Sequence, residues 1–208
     1  MRKTYLLATL AAALGCSSGP SRVQPPSIDA DDAASAAMEL YDKDGDGAIN
    51  AAELEAAPGL KAAMTTIDAN KDGSVQEDEI VARIEAWQAT NIGVMAVKAN
   101  FTLDGRPLSG AAVTFEPETF LGEDIKAAVG ETTSGLSTVT IPKDQRPAKD
   151  TPPGLQPGLY RVRVSLKKDG QETIPAKYNS ETTLGQEIAP DDPAVAGQKV
   201  RFDLKTKE

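Results

Sequence analysis

Histidine is absent from the 208-residue chain, and Cys16 is its single cysteine. Without an imidazole the chain cannot build a Ser-His-Asp triad or a typical catalytic zinc site. A single cysteine also excludes an intramolecular disulfide. Aromatic residues make up only 4% of the sequence, and Lys and Arg do not cluster into a basic run. Because phosphate binding needs such clusters, nucleic acid is excluded as a partner. We expect a protein that is not an enzyme.

The amino-terminal residues 1–16 have the layout of a secretory signal, with a short positive region followed by the apolar run 4–14. This run is too short to span a bilayer as an ordinary helix. Ala13-Leu14-Gly15-Cys16 resembles the lipobox of bacterial lipoproteins. The resemblance implies lipidation of Cys16 and an anchor on the outer side of a membrane in the bacterial cell envelope. The alternative is a plain signal peptide and a secreted protein. Residues 17–27, rich in Ser and Pro, are predicted to be a flexible tether.

Charge and hydrophobic periodicity divide the rest of the chain between residues 92 and 93. Residues 28–92 contain 15 acidic and 4 basic side chains, a formal charge of −11, and their apolar residues recur at helical spacing. Residues 93–208 contain 16 acidic and 15 basic side chains, and apolar residues alternate in them with a period of two. We predict an α + β multidomain protein: a compact all-α unit over 28–92, then an antiparallel β-sandwich over 93–208.

The most acidic stretch is DKDGDGAINAAE, residues 42–53. Like charges this close repel by roughly 4 kcal/mol per pair at 4 Å and an effective dielectric near 20. A divalent cation among them converts this repulsion into attraction. Oxygen donors stand at positions 1, 3, 5, 7, 9 and 12 of the stretch, the spacing that surrounds calcium with about seven oxygens. They are Asp42, Asp44, Asp46, Ala48 through its carbonyl, Asn50 and Glu53, with Gly47 at position 6, where a Cβ is expected to obstruct the turn.

A second stretch, DANKDGSVQEDE at residues 68–79, repeats the spacing. Only three of its donors are charged, so we expect it to bind the cation more weakly. Its candidate ligands are Asp68, Asn70, Asp72, Ser74, Gln76 and Glu79, with Gly73 at position 6.

Both stretches resemble the calcium loops of the EF-hand family, and apolar residues flank them at the expected offsets. The resemblance covers roughly residues 28–92 and implies two calcium ions, with Ile49 and Val75 paired between the loops. Only residues 54–67 separate the loops, so the connecting helices must be short. Asp-Gly turns and helix caps are the alternative, but a turn does not need carboxylates at positions 1, 3, 5 and 12 twice. Magnesium is the lesser competitor. Ala-rich helices with few Met favour constitutive sites over a sensor.

The second half is similar to the carboxypeptidase-regulatory-like domains, which are transthyretin-like (prealbumin-like) β-sandwiches. The resemblance lies in residues 97–117, 152–165, 174–184 and 200–205. It implies a fold more than an activity. We therefore interpret the sandwich as a binding or structural module, with a protein or a glycan as its possible partner. One alternative is an accessory component of an extracellular carbohydrate-processing assembly. Another is a protein-docking module, since the close spacing of the loops is similar to that of dockerins.

Overall fold

The computed structural model describes residues 23–207, beginning with a helical half. Asp29 caps the first helix by accepting a hydrogen bond from the Asp32 N–H at 3.2 Å. Pro58 opens the second helix, where its missing N–H removes no helical hydrogen bond. The elements are α1 (Ala30–Tyr41), β1 (Ala48–Ile49), a 3-10 helix (Glu53–Ala56), α2 (Pro58–Ile67), β2 (Val75–Gln76) and α3 (Glu77–Ala89).

Each helix of this half buries one apolar face, as the periodicity predicts. Short connecting elements are also confirmed, since the 3-10 helix has 4 residues and α2 has 10. The two-residue strands β1 and β2 pair antiparallel and place Ile49 opposite Val75. Both side chains are fully buried, so the loops share an apolar bridge. The buried helical residues include Ala34, Ala37, Tyr41, Leu60, Ala63, Ile67, Ile80, Ile84 and Trp87.

The second half contains two four-stranded sheets and a small hairpin. The strands are β3 (Val97–Leu103), β4 (Arg106–Pro107), β5 (Ala112–Pro117), β6 (Ala128–Glu131), β7 (Leu136–Val139), β8 (Gly158–Ser165), β9 (Lys167–Lys168), β10 (Gln171–Glu172), β11 (Gly185–Ile188) and β12 (Val200–Leu204). The first sheet has the order β11-β8-β5-β6 and is antiparallel throughout. In the second sheet β3 pairs with β12 on one side and with β4 and β7 on the other.

The second sheet is mixed, so the prediction of an entirely antiparallel sandwich is wrong. Strand β12 runs parallel to β3, with Phe202 opposite Phe101. Between β11 and β12 the chain passes through a short helix, α4 (Pro193–Ala196). Parallel neighbours need a long connection instead of a hairpin, and β12 is reached only after the chain has crossed between the sheets.

Aromatic side chains join the inner faces of the two sheets. Phe115 of β5 and Phe202 of β12 meet edge to face, with ring centroids 6.1 Å apart. Phe101 stacks on Phe202 at 4.9 Å. Such ring pairs stabilise a core beyond the area they bury. The two sheets therefore share one core, while a transthyretin-like identity for it stays a prediction.

The helical half packs directly on the sheets. Helix α2 lies against β8 and β11, and α1 lies against a 3-10 helix at Thr119–Leu121. Tyr41 and Phe120 make an edge-to-face contact across this boundary, with centroids 6.2 Å apart. A Cβ added to Gly185 would lie 1.7 Å from the Pro58 carbonyl oxygen. The backbones of the two halves therefore touch without an intervening side chain.

The signal segment, Cys16 and residues 17–22 of the tether lie outside the described residues. Residues 23–27 form neither helix nor strand, and Pro26 among them is buried. Within residues 23–207, no helix combines the length and apolar character that a membrane crossing requires.

Candidate metal centre

Three carboxylates converge in the first loop. One oxygen from each of Asp42, Asp44 and Asp46 lies within 4.8 Å of the others. Calcium binds oxygens at 2.3–2.6 Å, so two oxygens on one ion lie at most about 5 Å apart. The spacing of these three side chains therefore fits a shared calcium ion.

The loop backbone turns through left-handed conformations at positions 4 and 6. The φ angles are +72° at Gly45 and +89° at Gly47, and the second loop repeats them with +62° at Lys71 and +88° at Gly73. A Cβ added to Gly47 would meet no atom within 4 Å. The prediction of glycine-dependent turning at Gly47 holds, but the predicted cause, obstruction by a Cβ, is wrong. Glycine is favoured here because its backbone adopts positive φ without strain.

Backbone N–H groups orient the carboxylates of the first loop. The Gly47 N–H donates to Asp42 Oδ2 at 3.0 Å, and the Ala48 N–H donates to Asp46 Oδ1 at 2.9 Å. The Asp46 N–H donates to Asp44 Oδ1 at 3.2 Å. These bonds tie each acid to the turn that follows it and so gather the three carboxylates at the centre of the loop.

Glu53, at position 12, closes the first loop. Its Oε1 accepts from the Lys43 N–H at 2.6 Å and its Oε2 from the Asn50 N–H at 2.9 Å. These backbone donors, Asn50 first, lower the pKa of Glu53 below its ordinary value. Both carboxylate oxygens are therefore fixed on the loop backbone, although Glu53 lies outside the group of three converging carboxylates. Glutamate at this position binds calcium through both oxygens in EF-hand loops.

Asn50, at position 9, uses its side-chain oxygen within the protein. Oδ1 accepts from the Ala52 N–H at 2.9 Å and from the Glu53 N–H at 3.3 Å. Position 9 of such loops commonly reaches the ion through water, and this arrangement is compatible with that role.

The second loop repeats several of these hydrogen bonds at the same positions. The Gly73 N–H donates to Asp68 Oδ2 at 3.0 Å, as Gly47 does to Asp42. The Ser74 N–H donates to Asp72 Oδ1 at 2.9 Å, at the distance found between Ala48 and Asp46.

Glu79 occupies the place of Glu53 in this second set of bonds. Its Oε1 accepts from the Ala69 N–H at 2.9 Å, and its Oε2 accepts from the Gln76 N–H at 3.1 Å. The residues at positions 2, 9 and 12 are thus connected in the same way in both loops. The second stretch therefore shares these backbone contacts with the first, although its oxygen donors are chemically more mixed.

The two loops differ in how their acidic side chains affect one another. In the first loop, the Asp46 N–H lowers the pKa of Asp44. Partial desolvation and the charges of Asp46, Glu53 and Asp42 outweigh that bond, so the pKa of Asp44 is raised overall. The acidic side chains of the first loop therefore repel one another.

In the second loop, neutral amides contact the central carboxylate. Asp72 Oδ2 accepts from Asn70 Nδ2 at 2.8 Å and from Gln76 Nε2 at 2.9 Å. The pKa of Asp72 is lowered, first by the Ser74 N–H and then by the Asn70 side chain. This loop carries less repulsion for a cation to relieve.

Ionic residues that were not predicted from the sequence hold the helices of the loops on the sheets. Glu118 is fully buried, and Glu187 is 2% exposed. Arg83 on α3 pairs with Glu187 and with Asp191. Arg161 on β8 donates through Nε to Glu118 at 2.8 Å.

One sequence signal for this cluster was present in α3. Arg83 stands on the helix face formed by Ile80, Ile84 and Trp87, where an apolar residue is expected. Burial lowers the pKa of Arg83, but Asp191 and Glu187 outweigh this effect and raise it overall. A basic residue on a buried face predicts a buried acidic partner, although the sequence does not say which one.

Comparison with known proteins agrees with the geometry of the first loop. A family model described as EF hand matches residues 35–56, which contain the end of α1, the whole of the first loop and the 3-10 helix. A comparison with curated proteins gives no match. The converging carboxylates, the position-12 glutamate and this match together identify residues 35–56 as an EF hand.

Proposed function

We propose that the chain binds two calcium ions, one in each loop, and that these ions serve a structural role. The observation that supports two ions is the repetition of the loop hydrogen bonds, from position 1 to position 12, in residues 68–79. The ligands are those predicted from the sequence: Asp42, Asp44, Asp46, Ala48, Asn50 and Glu53 in the first loop, and Asp68, Asn70, Asp72, Ser74, Gln76 and Glu79 in the second.

The donor sets favour calcium over magnesium. Each loop ends in a glutamate whose two oxygens face the loop, and each offers at least five further donors. Magnesium prefers six ligands in a strict octahedron at 2.0–2.1 Å, which a bidentate carboxylate does not suit.

The packing of the helices supports a structural role over a sensory one. A calcium sensor opens its helices to expose an apolar groove for a target. Here α2, which connects the two loops, lies against β8 and β11. Its apolar residues Leu60, Ala63 and Ile67 are buried. The surface that a sensor would expose is therefore already covered by the sheets of the same chain.

We further propose that the protein is not an enzyme and works as an anchored or secreted binding module. The absence of histidine supports the first part. The lipobox-like sequence ending at Cys16 supports lipid anchoring in a bacterial envelope. In this proposal the transthyretin-like sheets provide the surface for a protein or glycan partner.

Isothermal titration of the full chain with calcium tests the proposed function. We expect two bound ions per chain, with the first loop tighter than the second. The double variant Glu53→Gln/Glu79→Gln, which keeps both side-chain volumes, should bind none. A stoichiometry of one in the unmodified chain would contradict the second site, and a stoichiometry of zero would contradict both.

Trp87 provides an optical test of the second loop. It is the only tryptophan, it is 3% exposed, and its indole N–H donates to Glu187 at 2.9 Å. Helix α3 begins at Glu77 within the second loop, so ordering of Glu79 by calcium should change the surroundings of Trp87. We expect Trp87 emission to change on calcium addition and to return on chelation. The same titration of Glu79→Gln should show a much smaller response, and a flat titration of the unmodified chain would argue against a calcium ion in this loop.

A further inference from the structure

Two glutamates of the sheet half lie beneath the helices that support the calcium loops. Glu118 follows β5 and is 0% exposed, and Glu187 lies in β11 and is 2% exposed. Glutamate is almost never fully buried unless it is paired. Glu118 bonds to residues on both sides of the first loop, and Glu187 bonds to residues on both sides of the second loop.

Glu118 contacts the residue that precedes the first loop. Tyr41, immediately before Asp42, donates its hydroxyl hydrogen to Glu118 Oε2 at 2.9 Å. Arg161 donates through Nε to the same Oε2 at 2.8 Å and through Nη2 to the Tyr41 hydroxyl at 2.7 Å.

The same pair holds the segment that follows the first loop. The Gly59 N–H, in the first turn of α2, donates to Glu118 Oε1 at 2.8 Å. Arg161 Nη2 donates to the carbonyl of Ala56 at 2.9 Å. Ala56 ends the 3-10 helix that begins at Glu53. Both ends of the first loop thus bond to one ion pair, of which the carboxylate is fully buried.

Glu187 has the equivalent position beneath the second loop. Thr66, two residues before Asp68, donates its hydroxyl hydrogen to Glu187 Oε2 at 2.6 Å. On the exiting side, Arg83 and Trp87 of α3 both donate to Glu187 Oε1. Arg83 is one helical turn beyond Glu79, the last ligand. Entering helix α2 and exiting helix α3 are therefore bridged by a single carboxylate.

We propose that Glu118 and Glu187 are positioning residues that set the calcium affinities of the first and second loops, respectively. This inference rests on the proposed binding of two ions. A calcium loop must bring its first and twelfth positions to one ion, and any ordering of its ends costs binding free energy. Side chains that fix both ends in advance reduce that cost. By linkage, calcium in a loop must strengthen the same contacts equally.

The experiment measures each loop separately in the full chain. Glu79→Gln provides a background in which only the first loop binds calcium, and Glu53→Gln provides one for the second loop. Glu118→Gln and Glu187→Gln are then introduced into both backgrounds, and calcium affinity is measured by isothermal titration. The control is Glu116→Gln, which removes an ion pair between β5 and Arg163 of β8. The other hydrogen bonds of the Arg163 side chain go to the carbonyls of Asn179 and Ser180, within the sheet half.

We expect Glu118→Gln to weaken the first loop about tenfold and to leave the second nearly unchanged, since bonds to a charged group contribute at least this much. Glu187→Gln should show the reverse selectivity, and Glu116→Gln should change neither loop. Equal weakening of both loops by either variant, or no weakening by either, would overturn the inference.

Smaller changes decide the question if a buried glutamine prevents folding. Tyr41→Phe keeps the ring that meets Phe120 and removes only the hydroxyl, and Thr66→Val likewise keeps the side-chain shape. Each should weaken its own loop about fivefold, and Thr66→Ser, which retains the hydroxyl, should restore the second loop. If neither variant weakens its loop, the inference is refuted. These results differ from failure of the proposed function, in which the unmodified chain binds no calcium.

Discussion

Replacing Glu53 with Gln is expected to weaken calcium binding at the first loop on the order of 100-fold, because ligand charge sets the affinity of such loops. The carboxylate brings two oxygens and one negative charge to the ion, while glutamine brings one oxygen and directs an N–H₂ group towards the cation. The Asn50 and Lys43 N–H groups that position Glu53 would also lose a charged acceptor. Isothermal titration in the Glu79→Gln background measures the loss at this loop alone.

The matched control for this substitution is Glu55→Gln. Glu55 lies two residues further on in the same 3-10 helix, is exposed, and forms an ion pair with Lys61. Exposed pairs contribute little, so this variant should bind calcium as the unmodified chain does. The sheets should stay folded in Glu53→Gln, since Glu118 and Glu187 still hold the helices. An affinity that Glu53→Gln leaves unchanged would reject residues 42–53 as the calcium site.

The calcium loops could be predicted from sequence because their chemistry is local. All six ligand positions fall within twelve consecutive residues, and the required conformations are marked by glycines at +89° and +88°. Even so, the physical reason for Gly47 could not be deduced correctly. Sequence shows that glycine is needed, but only the structure distinguishes a crowded position from one that needs positive φ.

The alternation in sequence predicts which face of each strand is buried, but it does not predict which strands are neighbours in a sheet. Alternation places Val97, Phe101, Val200 and Phe202 on inner faces, and all four are buried. A period of two gives no information on which strands pair or in which direction. The parallel pairing of β12 with β3 depends on the route of the chain through residues 189–199, which has no periodic signal.

The partners of the buried glutamates could not be predicted from the local sequence, because they are distant along the chain. Glu118 bonds to Tyr41, 77 residues earlier, and Glu187 bonds to Trp87, 100 residues earlier. Nothing near either glutamate in the sequence distinguishes it from an exposed strand residue. Arg83 was the exception, because its position on an apolar helix face signalled a buried partner.

Buried ionic contacts connect the helical half and the sheet half of the chain. The sequence separates an acidic helical half from a nearly neutral sheet half, which suggests two units that fold and act independently. Removing one partner from a buried ion pair costs about 3–5 kcal/mol, and one such pair, Arg83 with Glu187, lies between the halves. Buried Glu118 adds a hydrogen bond from Tyr41 across the same boundary. Because these contacts cross the charge boundary at residues 92 and 93, we expect the two halves to unfold cooperatively.

The contact between Gly185 and Pro58 tests this conclusion directly. Gly185→Ala would place a methyl group 1.7 Å from the Pro58 carbonyl oxygen and 2.8 Å from the Gly59 nitrogen. Neither backbone atom can move without shifting the start of α2, so we expect a loss of about 3 kcal/mol or more in the free energy of unfolding. Displacement of α2 from β11 should also expose Trp87 and shift its emission to longer wavelength before the sheets unfold.

Gly130→Ala is the matched substitution within the sheets. Its added Cβ would lie 2.4 Å from Ser137 Oγ and 2.9 Å from the Thr138 carbonyl oxygen, so it should also destabilise the protein. Because it leaves the boundary between the halves intact, urea unfolding followed by Trp87 emission and by circular dichroism should give coincident curves. For Gly185→Ala the emission change should come first. If Gly185→Ala gives coincident curves and the same free energy of unfolding as the unmodified chain, the stability of the two halves does not depend on this contact.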